Sequence, residues 1–309
     1  MKLETIRACS IWRALDVVGD VQTLMILEQA FLGTRNFEMF VQKTGISRSI
    51  VANRLRKLVD SGCLERITAD TGKRQQYVLT RKGRGLFPAS LLMMRWQQRW
   101  ESRDRPYGVV LTHVDCGAET KPSPRCRHCH AVIDARDVDW SAGPGFTYVV
   151  ADYGRRRLMT DSAKQRLTSE TLVDSVVAIF GDRWATLVVR ALFTGLRNFD
   201  RIQQDAGMAS NILSDRLDRL VAMGVVFADP TPSHSERFEY RLTEKGRDLY
   251  TIILALFHWG DDWYADEKGP PMLLQHRSCD HALELAVCCE NCGDQLTTRN
   301  LSFRLAPLS

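Results

Sequence analysis

The feature that most constrains this chain is that it is written twice. Displaced by 162 residues, Gly19 and Asp20 fall on Gly181 and Asp182, and Gly33, Arg35, Asn36 and Phe37 fall on Gly195, Arg197, Asn198 and Phe199. Gly45 meets Gly207, Arg54 and Leu55 meet Arg216 and Leu217, and Gly62 meets Gly224. After one inserted residue the displacement becomes 163, and Leu79, Thr80, Lys82, Gly83 and Arg84 meet Leu242, Thr243, Lys245, Gly246 and Arg247. Trp96 and Trp100 then meet Trp259 and Trp263. A long period present only twice means two domains rather than a solenoid, and 309 residues are enough for both.

Each copy ends on one unusual pattern, H-x2-C-x9-C-x2-C. It is His113, Cys116, Cys126 and Cys129 in the first copy, and His276, Cys279, Cys289 and Cys292 in the second. These account for six of the nine cysteines. One His and three Cys form a closed, structural zinc ligand set. The nine-residue spacer is shorter than the common zinc-ribbon spacing, so another metal, or bare thiols that pair on oxidation, also fit. The expected cofactor is zinc in two sites, one per tail. His128, His130, His281 and Cys288 occur in one copy only and read as spectators.

Within one copy, residues 12–18 and 20–32 are apolar at helical spacing, broken by Gly19 and Gly33. A short third segment, 36–44, ends at Gly45, and the next helix starts at the N-cap candidate Ser47 and stops at Gly62. Val51, Leu55, Leu58 and Val59 lie on one face of it, and Leu213, Leu217, Leu220 and Val221 repeat that face. CLERITA and QQYVLT flank a turn carrying Lys73 and Arg74, which reads as a β-hairpin. Thr80 then caps a closing helix that holds Trp96 and Trp100. This order predicts a winged helix-turn-helix. The Trp pairs read as packing between closing helices or as walls of an effector pocket.

A recognition helix places small polar residues near base edges and cations near phosphates. Ser47, Arg48 and Ser49 stand at its start, Asn53 on its exposed face, and Arg54, Arg56 and Lys57 further along, with Lys73 and Arg74 at the wing tip. Copy two offers Ser210, Asn211, Ser214 and Arg216. Residues 46–61 are net +3 and residues 208–223 net 0, with Asp215 standing where copy one has Asn53. Copy two is therefore expected to bind DNA weakly or mainly to dimerise.

The stretches GTRNF, GISRSIVANRLRKLVDSGCLER and YVLTRKGRGL, echoed by GLRNF, ILSDRLDRLVAMGVV and YRLTEKGRDL, resemble the HxlR-type family of bacterial winged-helix regulators. The resemblance covers about two thirds of the chain. It implies binding to double-stranded operator DNA, usually as a dimer with one unit per subunit, and response to small molecules or oxidants. A tandem arrangement departs from that pattern and implies a covalent pseudo-dimer, with homodimerisation left open. Cys9 precedes the first helix, where several such proteins carry a redox-active Cys.

The expected class is mainly α with β-hairpin wings (α+β). The expected domains are winged helix-turn-helix one over 9–105, Cys/His tail one over 109–146, a linker over 147–170, winged helix-turn-helix two over 171–267, and tail two over 272–309. The start of the linker is apolar enough to pair as a short strand. The N-terminus has no apolar secretory region and no run of about 18 apolar residues occurs, so a cytoplasmic, membrane-free protein is expected. The net charge of +5 permits nucleic-acid binding without arguing for it. No open metal site, activated Ser/His pair or phosphate-cradling loop marks an enzyme. A protein-binding adaptor with degenerate winged helices, or a thiol-based redox sensor acting through Cys9, are the alternatives.

Overall fold

The computed structural model describes residues 5–7, 9–68, 75–101, 107–150, 174–231, 234–265 and 267–307. Among them, no helix is long and apolar enough to cross a membrane. The chain divides into two units. Unit 1 comprises residues 1–14, 125–156 and 182–285, and unit 2 comprises 15–124, 157–181 and 286–309.

Unit 2 carries the first winged helix-turn-helix. Helix α1 (Ser10–Val18) runs into it, followed by α2 (Val21–Phe31), α3 (Phe37–Thr44) and α4 (Arg48–Asp60). Asp20 caps α2 by accepting from the Thr23 amide at 2.9 Å. Gly45 ends α3 with φ of 63°, a left-handed turn that glycine enters without strain. The buried stripe of α4 is Val51, Leu55 and Leu58, as the periodicity predicts. Strands β2 (Leu64–Thr68) and β3 (Gln75–Leu79) pair antiparallel to form the wing. Its tip, with Lys73 and Arg74, lies outside the described residues.

Thr80 does not cap the long closing helix but a single turn, α5 (Arg81–Arg84), and the closing helix proper is α6 (Phe87–Trp100). The glycine of the repeated K-G-R stretch has a steric reason. A Cβ on Gly83 would stand 2.0 Å from the Cys63 carbonyl oxygen, and one on Gly246 would stand 2.1 Å from that of Val225.

Unit 1 repeats the plan with α8 (Arg183–Phe193), α9 (Phe199–Ala206), α10 (Ser210–Ala222), β9 (Val226–Thr231), β10 (His234–Leu242), α11 (Glu244–Arg247) and α12 (Tyr250–Tyr264). Its wing strand β10 has nine residues where β3 has five. Trp96 and Trp259 are buried core.

Copy two's first helix, copy one's N-terminal residues and parts of both tails are traded between the copies. Copy two's first helix, α7 (Asp174–Phe180), belongs to unit 2, where the Gln97 side-chain oxygen accepts from the Ser175 and Val176 amides at 3.1 and 3.2 Å. Copy one's N-terminal segment belongs to unit 1. There β1 (Thr5–Arg7) pairs with β8 (Tyr148–Val150), the apolar start of the linker, and Ser10 bonds Asp261.

The tail strands follow suit. In unit 2, β4 (Tyr107–His113) pairs with β5 (Glu119–Thr120) and, in full antiparallel register, with β14 (Leu301–Pro307) from the end of copy two. Strands β6 (Pro122–Cys126) and β13 (Leu285–Cys289) end on Cys126 and Cys289. In unit 1, β11 (Met272–His276) pairs with β12 (His281–Ala282) and with β7 (Val138–Ala142), which copy one supplies. Residues 109–146, expected as one tail, thus divide between the units. The sequence could not show this, because both copies offer the same strand pattern and either pairing satisfies it.

Candidate nucleic-acid interface and Cys/His centres

The exchanged tails regroup the eight metal-type residues. The two quartets are not those of the sequence reading. In unit 2, His113 and Cys116 meet Cys289 and Cys292; in unit 1, Cys126 and Cys129 meet His276 and Cys279. The spacing within each His–Cys and Cys–Cys pair was legible, but which pair joins which was not.

In unit 2 the His113 Nδ1 lies 3.3 Å from the sulfur of Cys116 and 3.3 Å from that of Cys292, and the Cys116 and Cys289 sulfurs are 3.9 Å apart. In unit 1 the His276 Nδ1 lies 3.4 Å from the sulfurs of Cys129 and Cys279, and Cys126 and Cys279 are separated by 4.0 Å. A disulfide needs about 2.05 Å between sulfurs. A tetrahedral zinc with Zn–S of about 2.3 Å and Zn–N of about 2.0 Å places sulfurs about 3.8 Å apart, and sulfur and nitrogen about 3.5 Å apart. Both quartets fit that geometry.

Both histidines are fully buried with Nδ1 turned to the thiols, leaving Nε2 for an outer partner. In unit 2 the Asp115 carboxylate lies 3.4 Å from the His113 Nε2 without completing a hydrogen bond. Burial opposes ionisation of Cys289. The Thr120 hydroxyl and the Cys292 and Asn291 amides outweigh it and hold the thiol down at about 6. A third grouping, His128, Cys279 and His281, joins two of the supposed spectators, with the two imidazole rings stacked 3.4 Å apart.

The recognition helices divide their polar residues more sharply than the sequence suggests. On α4, Ser47, Arg48, Ser49, Asn53 and Arg56 are exposed. Arg48 is tied to Glu38 of α3 at 2.7 Å through one nitrogen, and both side chains are exposed. Such a pair is weak and exchanges easily for a phosphate. Ile50 shares the exposed side, 39% accessible, and was not singled out in the sequence, since an apolar residue there reads as core.

Arg54 and Lys57 turn back instead. Arg54 Nε meets Asp20 at 2.8 Å, and Lys57 Nζ donates to the Val17 carbonyl at 2.7 Å and reaches Asp20 at 3.5 Å. Asp20 therefore caps α2 and anchors α4 at once. Burial raises its carboxyl, but the two cations and the Thr23 hydrogen bonds hold it below the usual range.

On α10, Ser210, Asn211 and Ser214 are exposed. Arg216 is not: its side chain is 4% accessible and its Nε lies 2.6 Å from Asp182, the cap of α8. The expectation that Arg216 faces DNA is corrected, because the same lock that Asp20 forms with Arg54 is here fully closed. Asp215 is not a bare carboxylate either, since Arg216 and Arg219 both pair with it, Arg219 at 3.0 Å.

Cys63 is core, as expected, and burial pushes its thiol up. Cys9 is also fully buried, and the Arg190 Nη1 donates to its sulfur at 3.1 Å. Neither Trp pair is among the residues that line the cavity in unit 1. That cavity is walled by Trp140, Phe193, Tyr250, Ile253, Leu254 and Phe257 among others.

A sequence model of the HxlR-like helix-turn-helix family matches residues 17–105 and 179–268, more than half of the chain. Over 135 residues the chain is 38% identical to an uncharacterized HTH-type transcriptional regulator of Mycobacterium tuberculosis, covering 44% of this chain and 85% of that protein. The HTH-type transcriptional regulator YodB of Bacillus subtilis is 28% identical over 92 residues, 29% of this chain and 82% of YodB. The solved structure of PA1607 shares 32% identity and a TM-score of 0.40, covering 47% of this chain and 98% of that one. The chain belongs to the HxlR-like helix-turn-helix family, with two family domains in tandem.

Proposed function

We propose that this protein is a sequence-specific, DNA-binding transcriptional regulator that works as a covalent pseudo-dimer under small-molecule control. The observation that carries the reading is the reciprocal exchange. Unit 2 is completed by copy two's first helix and a tail strand from copy two, and unit 1 by copy one's N-terminal residues and a tail strand from copy one, as subunits of an intertwined dimer complete one another. Copy one supplies the stronger reading helix. Ser47, Ser49 and Asn53 face base edges, Ile50 suits a thymine methyl, and Arg48 and Arg56 meet phosphate or guanine. Lys73 and Arg74 are proposed to extend the contact from the wing. Ser210, Asn211 and Ser214 make a lighter contact from copy two. A zinc ion in each quartet fastens the traded strands and contributes folding energy.

Sequencing the duplex fragments retained by the purified full chain from random DNA tests this. A conserved two-part site is expected, with one half-site better defined. Retention without any shared sequence refutes specific recognition. Elemental analysis is expected to give about two zinc ions per chain.

A further inference from the structure

Unit 1 contains a charge imbalance that neither the fold nor the metal sites require. Arg7 and Arg190 are both buried, at 4% and 2% accessible. Among the described residues, one carboxylate pairs with both, that of Asp205, 3.2 Å from Arg7 Nε and bonded to Arg190 Nη2. Arg190 spends Nη1 on the Cys9 sulfur, and its buried Nε has no hydrogen-bond partner. Burial, and next the Arg190 charge, pull the Arg7 guanidinium below its ordinary value. A buried cation in excess of its partners is costly, and an anion that enters relieves it.

The excess lies at the wall of a cavity. Arg190 lines it directly. Arg7 sits behind two other lining residues, its guanidinium 5.6 Å from the centre of the Trp140 ring and its Nη2 3.5 Å from the Thr194 hydroxyl. The rest of the lining is apolar and aromatic, with Phe193 and Tyr250 in edge contact at 5.1 Å. The space is about 500 Å3 with its open mouth included, so the part enclosed by protein is smaller. Trp140, 41% accessible, stands where a ring could stack.

We propose that this cavity is a binding site for a small aromatic monoanion, a carboxylate on one or two fused rings. The ring fills the apolar space against Trp140 and Phe257, and the carboxylate meets the Arg190 Nε and the Arg7 guanidinium. The duplication provides an internal contrast. At the positions of Arg190 and Asp205, copy one has Glu28 and Lys43, so the site belongs to unit 1 alone. That its occupant tunes DNA binding rests on the regulator reading above; that it binds does not.

The test compares 2-naphthoate with its neutral isostere 2-naphthamide on the full chain, by calorimetry and equilibrium dialysis. Naphthoate is expected to bind roughly tenfold tighter or better, the worth of a charge-assisted pair in a dry site. Arg7→Met and Arg190→Met should each remove most of that preference while leaving naphthamide binding as in the wild type, which shows the cavity intact. If Arg190→Met fails to fold, Arg7→Met on its three-residue strand reads the same charge. Trp140→Ala should weaken both ligands alike. Equal affinity for the two ligands, binding of neither, or a preference that survives both arginine substitutions overturns the proposal. DNA retention is assayed on the same samples. Naphthoate binding without DNA retention leaves this site standing and removes the regulator reading, and the reverse result removes only the site.

Discussion

The two units are built on one plan and differ in where they put their charge. In unit 2, Arg54 reaches Asp20 with 27% of its side chain still accessible; in unit 1, Arg216 reaches Asp182 from full burial. In both the arginine joins the cap of the second helix to the recognition helix, so the helix-turn-helix angle is fixed by one carboxylate. Unit 2 keeps Asn53 exposed, accepting from Arg54 Nη1 at 2.9 Å, and leaves Arg56 exposed, while unit 1 ties Asp215 between Arg216 and Arg219. The lesson is that a net charge counted along a helix is a poor guide to its DNA face. Of the four cations counted on α4, two are anchored inward by Asp20, and of the two on α10, one is buried.

The largest effect that can break this comparison lies in the metal quartets. If the tails are exchanged, Cys126 and Cys279 share one ion, and Cys116 and Cys126 serve different ones. The double variant Cys126→Ser, Cys279→Ser should retain about one zinc per chain, and Cys116→Ser, Cys126→Ser should retain none. Metal content after purification gives the answer, and the opposite result would restore one quartet per copy.

The locks come next. Asp182→Ala removes the cap of α8 and leaves the buried Arg216 only the half-exposed Asp215, and should cost about 3–5 kcal/mol in unfolding free energy. Asp20→Ala removes a cap and a partly exposed pair and should cost about 2 kcal/mol. Denaturation midpoints of the two variants rank the locks, and a larger loss at Asp20 would reverse the comparison.

The Asp20 lock also carries a pH signature. Its folded carboxyl is depressed, so its stabilisation is complete above the ordinary carboxylate value of about 4 and is lost as pH falls through the lowered folded value. Stability measured below about pH 4 should fall less steeply in Asp20→Asn than in the wild type. Parallel acid limbs would mean that Asp20 is not linked to folding.

The smallest effects are on the DNA face. Arg56→Ala should weaken binding to every sequence and lower the salt slope by about one. Arg219→Ala should do less, because Asp215 already holds that guanidinium at 3.0 Å. Equal slopes lost at the two positions, in binding titrations from low to high salt, would erase the asymmetry between the helices.

Local chemistry was legible in the sequence wherever one residue decides one conformation. The duplication, the glycine-terminated helices, the buried stripe of α4 and the wing strands all follow from spacing and turn residues that act within a few positions. So did the residue types of the Cys/His centres. What the sequence left open was every choice between two equivalent partners. His113 and Cys116 fit Cys126 and Cys129 as well as they fit Cys289 and Cys292, because the copies share one spacing. Only the pairing of β4 with β14 and of β7 with β11 selects. The inward turn of Arg54, Lys57 and Arg216 was equally hidden, since a cation on a helix reads as solvated until the carboxylate it meets, some 34 residues away for Arg54, is brought to it by the fold. Periodicity fixes which way a side chain points from its own helix; only tertiary packing fixes what it finds there.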